Sequence, residues 1–386
     1  MERINISKPD IDVDASLSNL KAALESGQIA QGRQVAAAEE ELCESLDSEH
    51  VAMVSNGTAA LKAAALASIC KIRGISPKYI DRELPKTNIV IPAFSFNATV
   101  NSVLQIGADA KIVDIRESDF CIDPDSILEA VDENTAAVMP VDLYGQAADT
   151  SKIEEVLSKK GVALVRDAAQ AHGAQINNEH IVKHADAVSL SFYPTKNISA
   201  PEGGAVLSDD EDIDHIVRMY RNQGMSQRYV YEMSGDNLRM TDVHAAILRP
   251  NIGKIAIFAA KRAYNASLLS EGLSQIEGIT VPIVDRNRKH VWHQYTIMVE
   301  PSFGLDRDGL ADELDKLGIG SGVYYPKSMI DHDAFRNHPK IKVGSINVTE
   351  EVAKKVLSLP VHPGLSEQDI FRIIEAIGSI QKGKKR

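Results

Sequence analysis

Lys196 and Asp167 are the two side chains of this sequence whose types and settings could do chemistry together. Lys196 lies in SLSFYPTKNISAPEGG, Ser189 to Gly204. The apolar-alternating run Ala187 to Phe192 predicts a short strand. Pro194 ends it, because proline cannot continue a ladder. The lysine follows at once, in a loop rich in Thr, Asn, Ser, Pro and Gly. An amine delivered by a strand end is positioned, and a Schiff-base lysine must meet an aldehyde carbon repeatedly in one geometry. Asp167 follows a second apolar run, Val162 to Val165, in ALVRDAAQAHGA. In open α/β sheets ligands sit beyond the carboxyl ends of the strands, so the two residues are candidates for one crevice. Pyridoxal phosphate (PLP) requires such a pair: a lysine for the carbonyl carbon, and a carboxylate that keeps the pyridine nitrogen protonated. Taken singly, Lys196 also reads as a surface residue in a turn, and Asp167 as an N-cap for the alanine-rich segment after it.

A third signal is SNGTAALKAAALASI, which follows the short apolar run His50 to Val54. It predicts a strand, a tight Asn56–Gly57 turn and a helix. The backbone amides of Gly57, Thr58 and Ala59 would face out of the helix start, where the helix dipole favours an anion such as phosphate. A Gly-Thr pair also serves merely to cap a helix. Phe94 and Phe96 stand after another short strand, Ile89 to Ile91, where an aromatic ring could stack on a flat heterocycle or simply pack in the core.

These groups must be carried by a sizeable scaffold, and 386 residues suffice for one large domain or two packed ones. A net charge of −12 argues against nucleic acid and anionic membranes as partners. Cys43, Cys70 and Cys121 lie far apart, without metal or disulfide spacing. The polar start MERINISKPDID lacks a signal-peptide pattern, and no apolar run approaches a membrane span. The reading is a soluble, cytoplasmic protein with no metal site and a basic, frayed end, QKGKKR.

Along the chain, helices are predicted near Asp14–Glu25, Gln34–Leu46 and Ser151–Lys160, and from Asp210 to Tyr220. Strands are expected at Ala110–Val113, Ala136–Val141, Val182–Ala185 and Gly204–Leu207. Cys70 to Asn88 reads as a charged connector. Apolar strands alternating with helices indicate a parallel-dominated, doubly covered α/β sheet. Neither the dinucleotide nor the P-loop glycine pattern is present. After Arg221 the texture becomes polar and glycine-punctuated. A helix capped by Thr241 and a long helix, Ile252 to Gln275, then lead to a smaller α+β part. Its expected elements are Ile279–Val281, His293–Val299, Arg307–Leu317, Gly322–Tyr325 and Glu367–Gln381.

Several long segments together resemble the DegT/DnrJ/EryC/StrS family of PLP-dependent sugar aminotransferases, on the fold-type I (aspartate aminotransferase-like) scaffold. They are SNGTAAL, PAFSFNAT, DLYGQAAD, RDAAQAHGA, SFYPTKN, RNQGMSQRY, NLRMTDVHAAIL, VWHQY and LSLPVHPGL, in the family's order over nearly the whole chain. The resemblance implies a large PLP-binding domain with an N-terminal arm over 1–250 and a small C-terminal domain over 251–386. It implies that Lys196 binds the cofactor covalently and shuttles a proton, and that Asp167 pairs with the ring nitrogen. Gln170 would lie beside the ring hydroxyl, Phe96 would stack on the ring, and Gly57, Thr58 and Ser191 would hold the phosphate. Asn237 would reach the phosphate of a neighbouring subunit, so the implied assembly is a homodimer with shared sites. Arg239 is implied as a ligand for a substrate carboxylate or phosphate, and Tyr324 and His293 as pocket residues.

The chain departs from the family where GDNLRM replaces GYNYRM, where GVYYP places Tyr324 at a usual histidine, and where PEGGA follows the lysine loop. The first of these bears on sugar contacts, not on PLP. Because Lys196 is retained, transamination is expected rather than dehydration. The implied reaction moves an amine from a donor, with glutamate expected, to a nucleotide-linked 3- or 4-keto-deoxysugar. Transfer to a keto-cyclitol and a non-catalytic PLP-binding regulator are the alternatives.

Overall fold

The computed structural model describes residues 2–384. Its largest sheet has eight strands. In spatial order they are His50–Val54, Gly204–Ser208, Ala187–Ser191, Ala163–Asp167, Thr135–Val138, Asn88–Pro92, Asp109–Val113 and Ile341–Val343. Gly204–Ser208 runs antiparallel to both its neighbours, and every other pairing is parallel. The carboxyl ends of His50–Val54, Asn88–Pro92, Ala163–Asp167 and Ala187–Ser191 therefore share one edge. Chemistry-bearing loops converge there.

Both faces of the sheet are covered, which explains strands without polar alternation: all five residues of Ala163–Asp167 and of Ala187–Ser191 are buried. Ala163 and Val165 enter one core cluster, while Leu164 between them enters another, as the period-two pleat demands. The helix Gly57–Arg73 crosses the sheet on its alanine-rich face. Small side chains let it lie close, and Gly74 ends it in the left-handed conformation, with φ 63°.

The remaining core surrounds a small antiparallel sheet of Ile279–Thr280, Tyr295–Val299 and Val356–Leu359. The helices Ile255–Leu273 and Glu367–Lys384 pack against each other beside it. Ile4 of the N-terminal arm belongs to this core, and its backbone bonds Gly318 and Gly320 at 2.9 and 2.7 Å. A few residues later Asp12 caps the helix Val13–Ser26, which packs on Asp242–Ile252. The arm thus ties the small sheet to the large one.

Four expectations are corrected. Val182–Ala185 is no strand: Ile181–His184 forms a single tight helical turn, because Ile181 and Val182 are buried side by side rather than alternately. The helix expected from Ile252 to Gln275 begins only at Ile255, since Asp242–Ile252 is a separate helix that ends before Gly253. Gly322–Tyr325 meets the small sheet only through Gly322, bonded to Ser358 at 2.8 and 3.0 Å, and then leaves it. The basic end is helical through Lys384 rather than frayed, and Lys385 and Arg386 lie outside the described residues. Among the described residues no helix is long and apolar enough to cross a membrane, and no acidic, histidine or cysteine cluster could hold a metal.

The end of the Asp167 strand is braced by an ion pair taken wholly out of water. Arg166 and Asp142, both 0% exposed, meet at 2.8 Å. Arg166 also donates to Thr150 Oγ1 at 2.5 Å, and Asp142 accepts from the Ala148 amide at 2.8 Å. Removing one partner strands a buried charge, which costs about 3–5 kcal/mol. Asp142→Ala and Arg166→Met are each expected to lower the urea midpoint by an amount of that order. Substituting both with apolar residues of similar volume should cost less than either alone.

Candidate functional site

The shared strand edge opens into a cavity of about 830 Å³, lined by Gly57, Thr58, Phe96, Asp167, Gln170, Ser191, Lys196, His293 and Tyr324 among others. Its size falls in the range of small-molecule sites. Nine of the residues singled out in the sequence, drawn from six separate segments, are thus gathered in one place.

Asp167, 4% exposed, ends its strand. Thr99 Oγ1 donates to Oδ2 at 2.8 Å, with Ser95 at 2.8 Å behind the threonine, and the Ala169 amide reaches Oδ1 at 3.3 Å. Burial pushes the carboxyl upward from its usual range, while Thr99, Ala169 and the nearby Lys196 pull it down. The Lys196 backbone is turned by a 2.8 Å bond from its amide to the Tyr193 carbonyl. Burial pushes the Lys196 amine down to about 8, against the opposing pull of Asp167. His172 is pushed down to about 3 and His293 also far down, both first by burial and next by the charge on Lys196. Neutral imidazoles therefore surround the amine and leave Asp167 as its counter-charge.

On the wall of the same cavity Asn56 caps the helix Gly57–Arg73 by accepting from the Ala59 amide. Among the described residues no backbone bond engages the Gly57 and Thr58 amides. A Cβ on Gly57 would lie 2.7 Å from the Ser191 Cβ, so only glycine lets the strand end and the helix start approach this closely. The donor set and the carboxylate match PLP on this geometry: free amides and the Ser191 hydroxyl suit a phosphate, and buried Asp167 lacks the cationic N–H that a protonated pyridine would bring.

Phe96, 61% exposed, stands at the cavity wall, whereas Phe94, 1% exposed, packs in the core. Gln170 is held by its Oε1, which accepts the Tyr144 amide at 2.7 Å. His293 Nδ1 meets Asn197 Oδ1 at 3.3 Å. Tyr324 lines the cavity while its carbonyl accepts from the Tyr144 hydroxyl. Two expected residues are not brought in by this chain. Asn237 is exposed outside the cavity, and Arg239 is engaged with Asn222 Oδ1 at 2.7 Å. The departure at Asp236 forms a 3.0 Å ion pair with Lys62, a cavity residue, and Leu238 is buried. Sequence reasoning passed over Thr99 and Tyr325. Thr99 was visible within PAFSFNAT, and Tyr325 stands directly beside Tyr324.

The DegT/DnrJ/EryC1/StrS aminotransferase family profile matches residues 10–378. The chain belongs to this family. It is 30% identical over 378 residues to a dTDP-3-amino-3,4,6-trideoxy-alpha-D-glucose transaminase of Streptomyces venezuelae, covering 96% of this chain and 95% of the relative. It is 33% identical over 299 residues to a UDP-N-acetyl-3-dehydro-alpha-D-glucosamine 3-aminotransferase of Acidithiobacillus ferrooxidans, covering 76% of this chain and 77% of that one. The crystal structure of S. venezuelae DesV in complex with a ketimine intermediate superposes with a TM-score of 0.87 at 28% identity, covering 99% of each chain. The large, mostly parallel sheet agrees with the fold-type I architecture inferred from the sequence.

A lysine whose amine loses its proton near 8 reacts as a free base at a lower pH than surface lysines do. Mild reductive methylation followed by peptide mapping should therefore show modification of Lys196 rising through about pH 8. A midpoint near the ordinary lysine value would contradict the desolvation of its amine. Gly57→Ala is expected to push the helix start off Ser191 and weaken binding of inorganic phosphate, read by calorimetry.

Proposed function

We propose that the protein is a PLP-dependent aminotransferase that moves an amine from an amino acid, with glutamate the expected donor, to a nucleotide-linked keto-sugar in amino-sugar biosynthesis. The observation that carries this reading is the one cavity lined by Lys196, buried Asp167 and the helix start at Gly57 and Thr58. Family membership supports it. Both named relatives place or carry the amine at carbon 3, so a 3-keto sugar is the first acceptor to test, ahead of the 4-keto isomer.

In this reading Gly57, Thr58 and Ser191 hold the phosphate, Phe96 covers one ring face, and Asp167 keeps the ring nitrogen protonated. The chemistry supplied by the bound cofactor is that of an electron sink for the pair left when a carbon–hydrogen bond breaks. Lys196 is the base: its Nζ, easily deprotonated in this site, takes the proton from the donor carbon and returns it one position away.

Homodimerisation completes the proposal. Asn237 lies on the surface of its own chain, as a residue serving the neighbour's phosphate would. Near it in sequence, Tyr229, Val230 and Tyr231 form an exposed apolar hairpin edge suited to burial against a second copy.

The purified protein with PLP should be yellow, and borohydride should bleach the band and leave the label on Lys196. Glutamate should change the absorbance, and a panel of nucleotide 3- and 4-keto-sugars read by mass should reveal the aminated product. Lys196→Ala should lose turnover by several orders of magnitude. A Lys196→Ala protein with full aminotransferase turnover would refute the role.

A further inference from the structure

Lys62 and Asp236 form an ion pair at the cavity that the chemistry of PLP leaves unused. Lys62 lines the cavity, and Asp236 stands where the family pattern has an aromatic residue. Lys62 Nζ donates to Asp236 Oδ2 at 3.0 Å. The lysine lies one turn after Thr58 on the helix Gly57–Arg73, so the two share a helix face. Side chains of a helix lean toward its start, which is the end that favours anions.

The Asp236 carboxylate is held in place by its own segment. Its amide donates to the Tyr220 carbonyl at 2.8 Å, its carbonyl accepts the Gln223 amide at 2.9 Å, and Oδ1 accepts the Asn237 amide at 2.7 Å. An ammonium has three donors and Asp236 takes one; no other acceptor for Lys62 occurs among the described residues. The Lys62 side chain is 14% exposed and that of Asp236 44%. An ion pair this open to water is worth little and is readily exchanged.

The other charged residues lining the cavity are Lys196, Asp167 and Glu202, while burial keeps His293 neutral. With PLP bound, Lys196 and Asp167 are committed to the cofactor. Arg239, the cation expected for a substrate's acidic group, is turned to Asn222. Among the described residues Lys62 is then the one cation left on the cavity wall for a substrate. Both substrates of the proposed reaction carry acidic groups, the carboxylates of the donor and the diphosphate of the nucleotide.

Resting on the aminotransferase reading, we infer that Lys62 is a specificity-determining residue that binds an acidic group of a substrate, a carboxylate or a phosphate, and that Asp236 is the resident counter-ion which this group displaces. Asp236 keeps the ammonium in place in the free protein. The exchange leaves no buried charge unpaired, because Asp236 is exposed enough to return to water.

The test uses the full-length protein loaded with PLP. Binding of UDP and dTDP, the nucleotides of the named relatives' compounds, is measured by calorimetry, and the reaction with glutamate alone by the absorbance change as its concentration is varied. Lys62→Met, of similar length but uncharged, should weaken at least one of these roughly ten- to a hundredfold, the size of a hydrogen bond to a charged group. Loss for the nucleotides assigns Lys62 to the diphosphate, and loss for glutamate assigns it to the donor's carboxylate. Asp236→Asn removes the internal competitor and should tighten the same ligand by up to about fivefold, with no effect in the Lys62→Met background. A pair that merely braced the loop would weaken binding when either partner was replaced. Two variants that weaken binding alike, or a Lys62→Met protein that binds nucleotides and glutamate as the parent does, overturn the inference. A parent protein that stays colourless with PLP overturns instead the aminotransferase reading on which it rests.

Discussion

A carboxylate held away from water with no cation bonded to it is a costly thing for a fold to keep. Asp167 is such a group, and much of the structure is arranged around keeping it. Its strand is buried on both sides. The preceding residue, Arg166, is tied to Asp142, so the backbone that presents Asp167 is fixed from beneath. The Asp142 amide donates to the Asp167 carbonyl at 2.9 Å, closing the brace. Thr99 and Ala169 satisfy part of the carboxylate and Lys196 supplies attraction at a distance. A protonated heterocycle would satisfy the remainder.

The same low-dielectric surroundings act on Lys196 with the opposite sign. Burial penalises the charged amine and favours charge on its partner only in so far as the partner is near. Near it the fold has placed imidazoles that burial keeps neutral, while the Asp167 carboxylate pulls the amine in the opposite direction. His172 is fixed by its Nε2 contact with the Ser191 carbonyl at 2.8 Å, and His293 by Asn197, the residue next to the lysine. The segment carrying His293 is itself docked on segments that follow strands of the large sheet, where the Val291 amide donates to the Gly145 carbonyl at 2.9 Å and Asn197 Nδ2 donates to the Val291 carbonyl at 2.9 Å. The small sheet's elements therefore take part in shaping the site, and the N-terminal arm that binds Ile4 to that sheet also brings Ser7 to the cavity wall.

Much of this was legible in the residues themselves. The strand ends that carry Asp167 and Lys196, the glycine at a helix start and the parallel sheet follow from local rules: apolar runs, a proline stop, a small-residue turn before an alanine-rich helix. Such rules work here because the sheet is covered on both faces, so its strands stand out as continuous apolar runs between polar loops. They failed where burial was not periodic, as at Ile181–His184, and where a backbone bond began a strand that did not continue, as at Gly322.

The sequence by itself determined which groups were available: one amine and one carboxylate at strand ends, a glycine turn at a helix start, and family motifs in one order. Only the tertiary structure decided which of them face one another. That Gln170 is turned by Tyr144, that Tyr325 is caged by Phe94 and Phe96, and that Asp236 has gone to Lys62 are contacts between residues far apart along the chain. Local sequence carries no distance information of that kind. Side-chain partners are chosen by packing, and packing exists only once the sheet has brought its loops to a common edge.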